Sequence, residues 1–154
     1  MDCVKKIKNK MKYIKKITKD LRYELGYYRV EDMGCPHEQP NDLPLGYSAI
    51  YIFIYKSEFL KIGKANSNSN ARFKSQHYGF SANSTLAKSL CEEEDFISLG
   101  INKDNVKSWM LKNLWRINIY VRADEEKTEL AKTELIEAIL HYAFRPRFEG
   151  NIHW

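Results

Sequence analysis

Tyr51, Lys61 and Arg72 stand ten and eleven residues apart in "AIYIFIYKSEFLKIGKANSNSNARFKSQHY", Ala49 to Tyr78, which closes on Gln76, His77 and Tyr78. A core has no use for a lysine and an arginine at such spacing, whereas a phosphodiester being cut has a use for all three groups. Its hydrolysis needs positive groups on the transferring phosphate, a base for the water and a cation to neutralise charge. Lys61 sits in "FLKIG" just ahead of Gly63, a residue that lets a phosphate or another backbone come close. Arg72 by itself reads equally as a surface charge. In "LIEAILHYAF", Leu135, Ile136, Ile139, Leu140, Ala143 and Phe144 make one apolar helix face. Glu134 and His141 point away from that face, and Glu137 falls at its rim. Partial shielding from water there suits a metal ligand, although a rim glutamate can simply reach into solvent.

The elements that must position these groups follow from periodicity. Residues 48–55 and 58–63, rich in Ile, Tyr and Phe, predict two strands around a Lys56-Ser57 turn. A helix is expected from about Asn70 to Tyr78, which would place Arg72 and Gln76 on one face and Lys74 and Tyr78 on another. The Ser/Asn run before it reads as a turn capping that helix. Further helices are expected through "TLAKSLCEEEDFISL" and "DNVKSWMLKNL", the latter capped by Asn102 or Asp104. "WRINIYVR", 115–122, predicts the third strand, and Asp124 caps a last helix that ends at Arg145-Pro146. Trp109 and Trp115 read as core residues, with base stacking as the alternative. Residues 26–46, broken by Gly34, Pro36, Pro40 and Pro44, read as irregular. The expected class is α+β: a small three-stranded antiparallel sheet flanked by helices.

At 154 residues and 44% hydrophobic, the chain can bury one real core. Residues 1–25 hold nine Lys/Arg against three Asp/Glu, which leaves sixteen against seventeen for the rest. The whole basic excess lies on a predicted amphipathic helix whose apolar stripe runs Val4, Ile7, Met11, Ile14, Ile17, Leu21, Leu25. This helix divides the chain into 1–25 and a domain over 26–154. Its lysines fit a polyanion such as nucleic acid, or only a solvated face. Its stripe could dock on the domain or pair with a second copy as a homodimer. No membrane span or secretory leader is read, and three scattered cysteines fit a reducing, cytoplasmic setting. Cys35 and His37 lack a second pair, so zinc is not expected.

Taken in order, "AIY", "KIG", Arg72, and Glu137 with Pro146 nine residues on and then Phe148 resemble the GIY-YIG nuclease superfamily over about residues 46–151. Ala49 stands where the first motif has glycine. Lys61 stands where the second has tyrosine, as in some restriction-type branches. Gln76 lies one turn after Arg72, with His77 next. The asparagine expected after the aromatic is Glu149, with Asn151 two residues later.

The resemblance implies a metal-dependent endonuclease acting on nucleic acid, DNA in preference to RNA. By it, Glu137 holds one Mg²⁺ or Mn²⁺, Tyr51 is the base or orients the water, and Lys61 stabilises the Tyr51 phenolate. Arg72 clamps the scissile phosphate and His77 positions water or the leaving oxygen. Lys64, Asn70, Lys74 and Gln76 are the expected nucleic-acid contacts. Two other classes remain open: a module on this fold that binds nucleic acid without cutting, and an interaction protein dimerised by the first helix.

Overall fold

The structure, a computed structural model, describes residues 2–123 and 126–149. It is α+β, with a four-stranded antiparallel sheet and, among the described residues, six α-helices. In chain order these are α1 Asp2–Asp20, β1 Tyr28–Gly34, β2 Tyr47–Tyr55, β3 Glu58–Ala65, α2 Asn70–Lys74, α3 Leu86–Glu92, α4 Glu94–Ile97, α5 Val106–Asn113, β4 Trp115–Arg122 and α6 Glu126–Phe144. The strands lie in the order β1-β4-β2-β3. The expected sheet of three strands is therefore one short. β1 comes from the stretch read as irregular, and pairs Tyr28 with Val121 through Gly34 with Arg116. Its alternation is faint because only Tyr28 and Val30 pack on the core, and glycine and proline follow at once.

β2 and β3 form a hairpin whose two-residue turn, Lys56-Ser57, has positive φ at both positions. That geometry matches the twist of the flanking strands. Both faces of the sheet are buried. On one, Ile50, Ile52, Ile54, Ile62, Ile117 and Ile119 pack under α1 and α6. On the other, Ala49, Tyr51, Phe53 and Tyr120 pack under α2 to α5 through Phe73, Leu90, Phe96 and Met110. Ile7, Met11 and Ile14 of α1 are fully buried in the first cluster. The central part of the stripe thus packs on the chain's own sheet, while the helix ends at Asp20 and Leu21 beyond it is exposed.

Two expected helices are interrupted. The one over 70–78 stops at Ser75, whose backbone leaves the helical region, and resumes as a 3₁₀ turn at Gln76–Tyr78. The break turns His77 and Tyr78 into the core, so Arg72 and Gln76 do not share a helix face. The next divides at Glu93, which is extended and accepts a hydrogen bond from Arg147. Thr85 caps α3 by accepting the Lys88 N–H. The expected cap Asp124 lies outside the described residues. No helix among the described residues is long and apolar enough to cross a membrane.

Candidate active site

β3 is the last strand of the sheet. The N–H groups of Arg147 and Phe148 cover the start of its outer edge by donating to the Phe59 and Leu60 carbonyls at 2.9 and 2.8 Å, and side chains gather along the rest. α6 overhangs this edge, and a cleft of about 490 Å³ opens between them, lined by residues 61–64, Arg72, Ser84, Glu134, Glu137, Ala138 and His141. Glu134, Glu137, Ala138 and His141 follow at 3-, 1- and 3-residue steps, the repeat that brings residues to one side of a helix. His141 was expected to point away from the packed face. It does so, but the side it turns to is the strand edge, where its Nε2–H donates to the Ile62 carbonyl at 2.8 Å. Its Nδ1 lies 3.3 Å from the carboxylate of Glu149.

Tyr51 lies directly behind this cleft. Its strand partner is Gly63, and a Cβ at Gly63 would collide with the Tyr51 ring and hydroxyl. The glycine of "KIG" is therefore a steric requirement of the tyrosine of "AIY". Tyr51 is fully buried, and Arg72, an exposed residue of α2, covers its hydroxyl by donating Nε–H at 3.2 Å. His77 Nε2 stands 2.6 Å from the same oxygen. The tautomer follows from the other nitrogen: His77 Nδ1 accepts the Leu86 N–H at 3.3 Å, so in the neutral ring the proton is on Nε2. Burial, with the charges of Lys61, Arg72 and Arg116, pushes the imidazole down to about 3 and keeps it neutral. The Tyr51 oxygen thus receives two N–H donors.

These donors oppose the cost of enclosure. Burial pushes the Tyr51 hydroxyl above its ordinary value, and the charge of Glu137 pushes the same way. Arg72, through charge and hydrogen bond, and Arg116 pull it down. The cation bonded to Tyr51 is accordingly Arg72, where Lys61 was expected. Lys61 is only 7% exposed, and burial followed by the nearby Arg72 charge lowers its ammonium, while Glu137 and Glu149 support it. No ion pair fixes Lys61 among the described residues, a rare state for a buried lysine.

Glu137 holds the Lys64 ammonium at 2.7 Å, with Glu134 on the same nitrogen at 3.8 Å. Lys64 therefore faces two carboxylates. Asn70 and Lys74 both donate to Asp42, at 3.0 and 2.8 Å, and Asn70 accepts the Leu43 N–H, which ties the 35–46 loop to α2. Gln76 is half-buried at the start of the 3₁₀ turn and does not line the cleft. The Ser/Asn run is engaged locally: Asn66 accepts from Ser69, and Ser67 donates to buried Glu129. Asn151 lies outside the described residues.

The reading of the sequence missed Arg116. It is 1% exposed, with Nη1 on Tyr78 Oη at 2.9 Å, Nη2 on the Phe73 carbonyl at 2.7 Å and Nε on Asn118 at 3.0 Å. Rings of Tyr51, Phe53, Phe73 and Tyr78 surround it at 5.0 to 5.9 Å. A desolvated guanidinium gains from aromatic faces of this kind. Tyr78 O–H donates a hydrogen bond to His37 Nε2 at 2.7 Å, because His37 Nδ1–H donates to the Leu114 carbonyl. Arg116, Asn118 and Tyr120 alternate with Ile117, Ile119 and Val121, a pattern that in sequence reads as a strand with one wet face.

Among the described residues no group of three or more metal-ligating side chains occurs. The donor set nevertheless fits a hard cation that keeps most of its waters, since such ions need one or two carboxylates and here two already gather on one positive charge. Comparison with protein-family models, with curated proteins and with solved structures returned no match.

Proposed function

We propose that the chain is a metal-dependent endonuclease of GIY-YIG type, hydrolysing phosphodiester bonds in DNA. One observation carries this reading: residues scattered from Tyr51 to Glu137 converge on the outer side of β3, with Lys61, Arg72 and Glu137 lining one cleft and Tyr51 just behind it. Glu137, with Glu134 beside it, would hold one Mg²⁺ or Mn²⁺ in the place Lys64 now neutralises. Bound there, the ion would offset charge on the transferring phosphate.

The protein's own groups divide the remaining work. Arg72 leaves the Tyr51 hydroxyl to fork onto the phosphate, a contact suited to its planar guanidinium. That movement uncovers the Tyr51 hydroxyl, which orients the attacking water or, once its own proton has passed to solvent, takes the proton of that water. His77 acts as a positioning residue, holding the oxygen through Nε2–H rather than meeting water itself, since it is 3% exposed. Lys61 presents its ammonium to the phosphate from the strand edge. Attack by water at phosphorus then expels the bridging oxygen.

A rival has one observation in its favour: Tyr51 is sealed as it stands, as in a module that binds nucleic acid without cutting it. Supercoiled plasmid incubated with Mg²⁺ or with EDTA decides between them. Cleavage by the wild type in Mg²⁺ alone, abolished in Glu137→Ala with binding retained, is the expected result. Binding without cleavage in Mg²⁺ would select the rival.

A further inference from the structure

The sheet edge opposite the cleft carries a second charged surface. Lys5, Lys8, Lys12 and Lys15 follow at 3-, 4- and 3-residue steps, so they form one row along α1. The row borders a groove against the edge strand β1. One part, about 460 Å³, is lined by Lys8, Lys12, Lys15, Tyr28 and Arg29. It continues through the shared Lys8 and Lys12 into a second part, about 520 Å³, that reaches Lys5 and Asp32.

We propose that this groove binds the phosphate backbone of a nucleic-acid duplex, holding substrate at a site separate from the cleft. The inference deepens the nuclease reading by naming where the substrate is anchored, and shares with it only the class of ligand. Three observations support it. No carboxylate pairs with Lys5, Lys8, Lys12 or Lys15 among the described residues, whereas Lys6 on another side of α1 is paired with Asp2. The two acids of β1 leave the lysines free: Asp32 accepts from the Trp115 indole at 2.5 Å and the Gly34 N–H at 3.0 Å, and Glu31 accepts from Tyr120 and Asn118 and pairs with Arg29 at 3.6 Å. The row is also rigid, because the buried face of α1 fixes it to the core. At about 1.5 Å per residue it extends roughly 15 Å, several phosphates at about 3.4 Å each along one strand. An anionic bilayer is the poorer fit, since an amphipathic helix binds membranes through its apolar face. Here Ile7, Met11 and Ile14 of that face are fully buried.

The test is fluorescence anisotropy with a fluorescein-labelled DNA duplex and the full chain in EDTA, between about 50 and 200 mM salt. Lys8→Gln/Lys12→Gln/Lys15→Gln should weaken binding and flatten the log–log salt slope by about 2–3, at roughly 0.9 per lost contact. Lys6→Gln/Lys10→Gln/Lys16→Gln removes equal charge from the rest of α1 and should change the slope far less. An equal or larger loss in this control set, or no binding by the wild type, overturns the groove. So does capture by phosphatidylserine vesicles with no binding to the duplex. Failure here is separable from failure of the nuclease reading. Groove-dependent binding without cleavage in Mg²⁺ leaves the groove standing, and cleavage with unaltered binding by the groove variant removes it.

Discussion

The Tyr51 hydroxyl oxygen accepts the Nε2–H of His77 at 2.6 Å, from a ring whose tautomer is set by the backbone N–H of Leu86. Hydrogen bonds from donors favour the charged form of a phenol, but burial outweighs them here and holds the Tyr51 hydroxyl above its ordinary value, so the loss of either donor would raise it further. Tyr51 and His77 should then act as one unit. Tyr51→Phe and His77→Leu should each lower the cleavage rate by about 10²–10⁴-fold, the range of a lost acid–base group. The double variant should lose little more than either single one. Lys61→Met should multiply with both, since no hydrogen bond joins Lys61 to Tyr51 among the described residues. Single-turnover rates of the wild type, the three single variants and their three pairwise doubles decide this; multiplying losses for Tyr51 and His77 would separate them.

His77 also makes stability depend on acid. Its folded-state value lies near 3 against an ordinary 6.5. Between those values the unfolded chain binds a proton that the folded chain refuses, so stability is complete above the upper value and falls as pH drops through the window. The slope is at most about 1.4 kcal/mol per pH unit. Urea denaturation of wild type and His77→Gln across this window should show a flatter pH dependence for the variant. Parallel curves would mean that the imidazole is protonated in the fold.

Gly63→Ala places a methyl group into the Tyr51 ring, which has backbone on one side and His77 on the other. Overpacking of this kind typically costs about 1–3 kcal/mol. The midpoint of chemical denaturation should fall accordingly, and cleavage should fall with Tyr51 displaced. In Gly63→Ala/Tyr51→Phe the hydroxyl clash is gone, so part of the stability should return. No recovery would place the strain elsewhere.

Arg116 stabilises through the acceptors it satisfies rather than through a paired acid. Arg116→Met leaves Tyr78 Oη, the Phe73 carbonyl and Asn118 Oδ1 without their donor, at about 1–3 kcal/mol for a buried group left unsatisfied. Arg116→Lys should recover only part, because one ammonium cannot reproduce three donors in a planar fork. Denaturation midpoints in the order wild type, lysine, methionine are expected, and equal midpoints would refute the role.

Much of the fold was legible from local pattern. The hairpin and its Lys56-Ser57 turn, the strand over 115–122, the first and last helices and the rim position of Glu137 all follow from spacing of apolar residues. β1 was not legible, because an edge strand with two core-facing side chains leaves almost no period. The break at Ser75 was hidden too, since nothing in "ARFKSQHY" forbids a continuous helix. What ends it is the burial of His77 and Tyr78 against Phe53 and Tyr51.

Sequence by itself determined the α+β class and the basic first helix, and singled out Tyr51, Lys61, Arg72 and Glu137 as candidates for chemistry, because residue type and periodicity are local properties. Only the tertiary structure decided the partners. It gave Arg72 and His77, not Lys61, to the Tyr51 hydroxyl, Lys64 to Glu137, and His141 to the Ile62 carbonyl of β3. It also enclosed Arg116 under α2 to α5. The physical reason is common to all of these. Charge pairing, desolvation and hydrogen-bond direction depend on which faces meet across a sheet, and residues tens of positions apart meet only once the strand order is set.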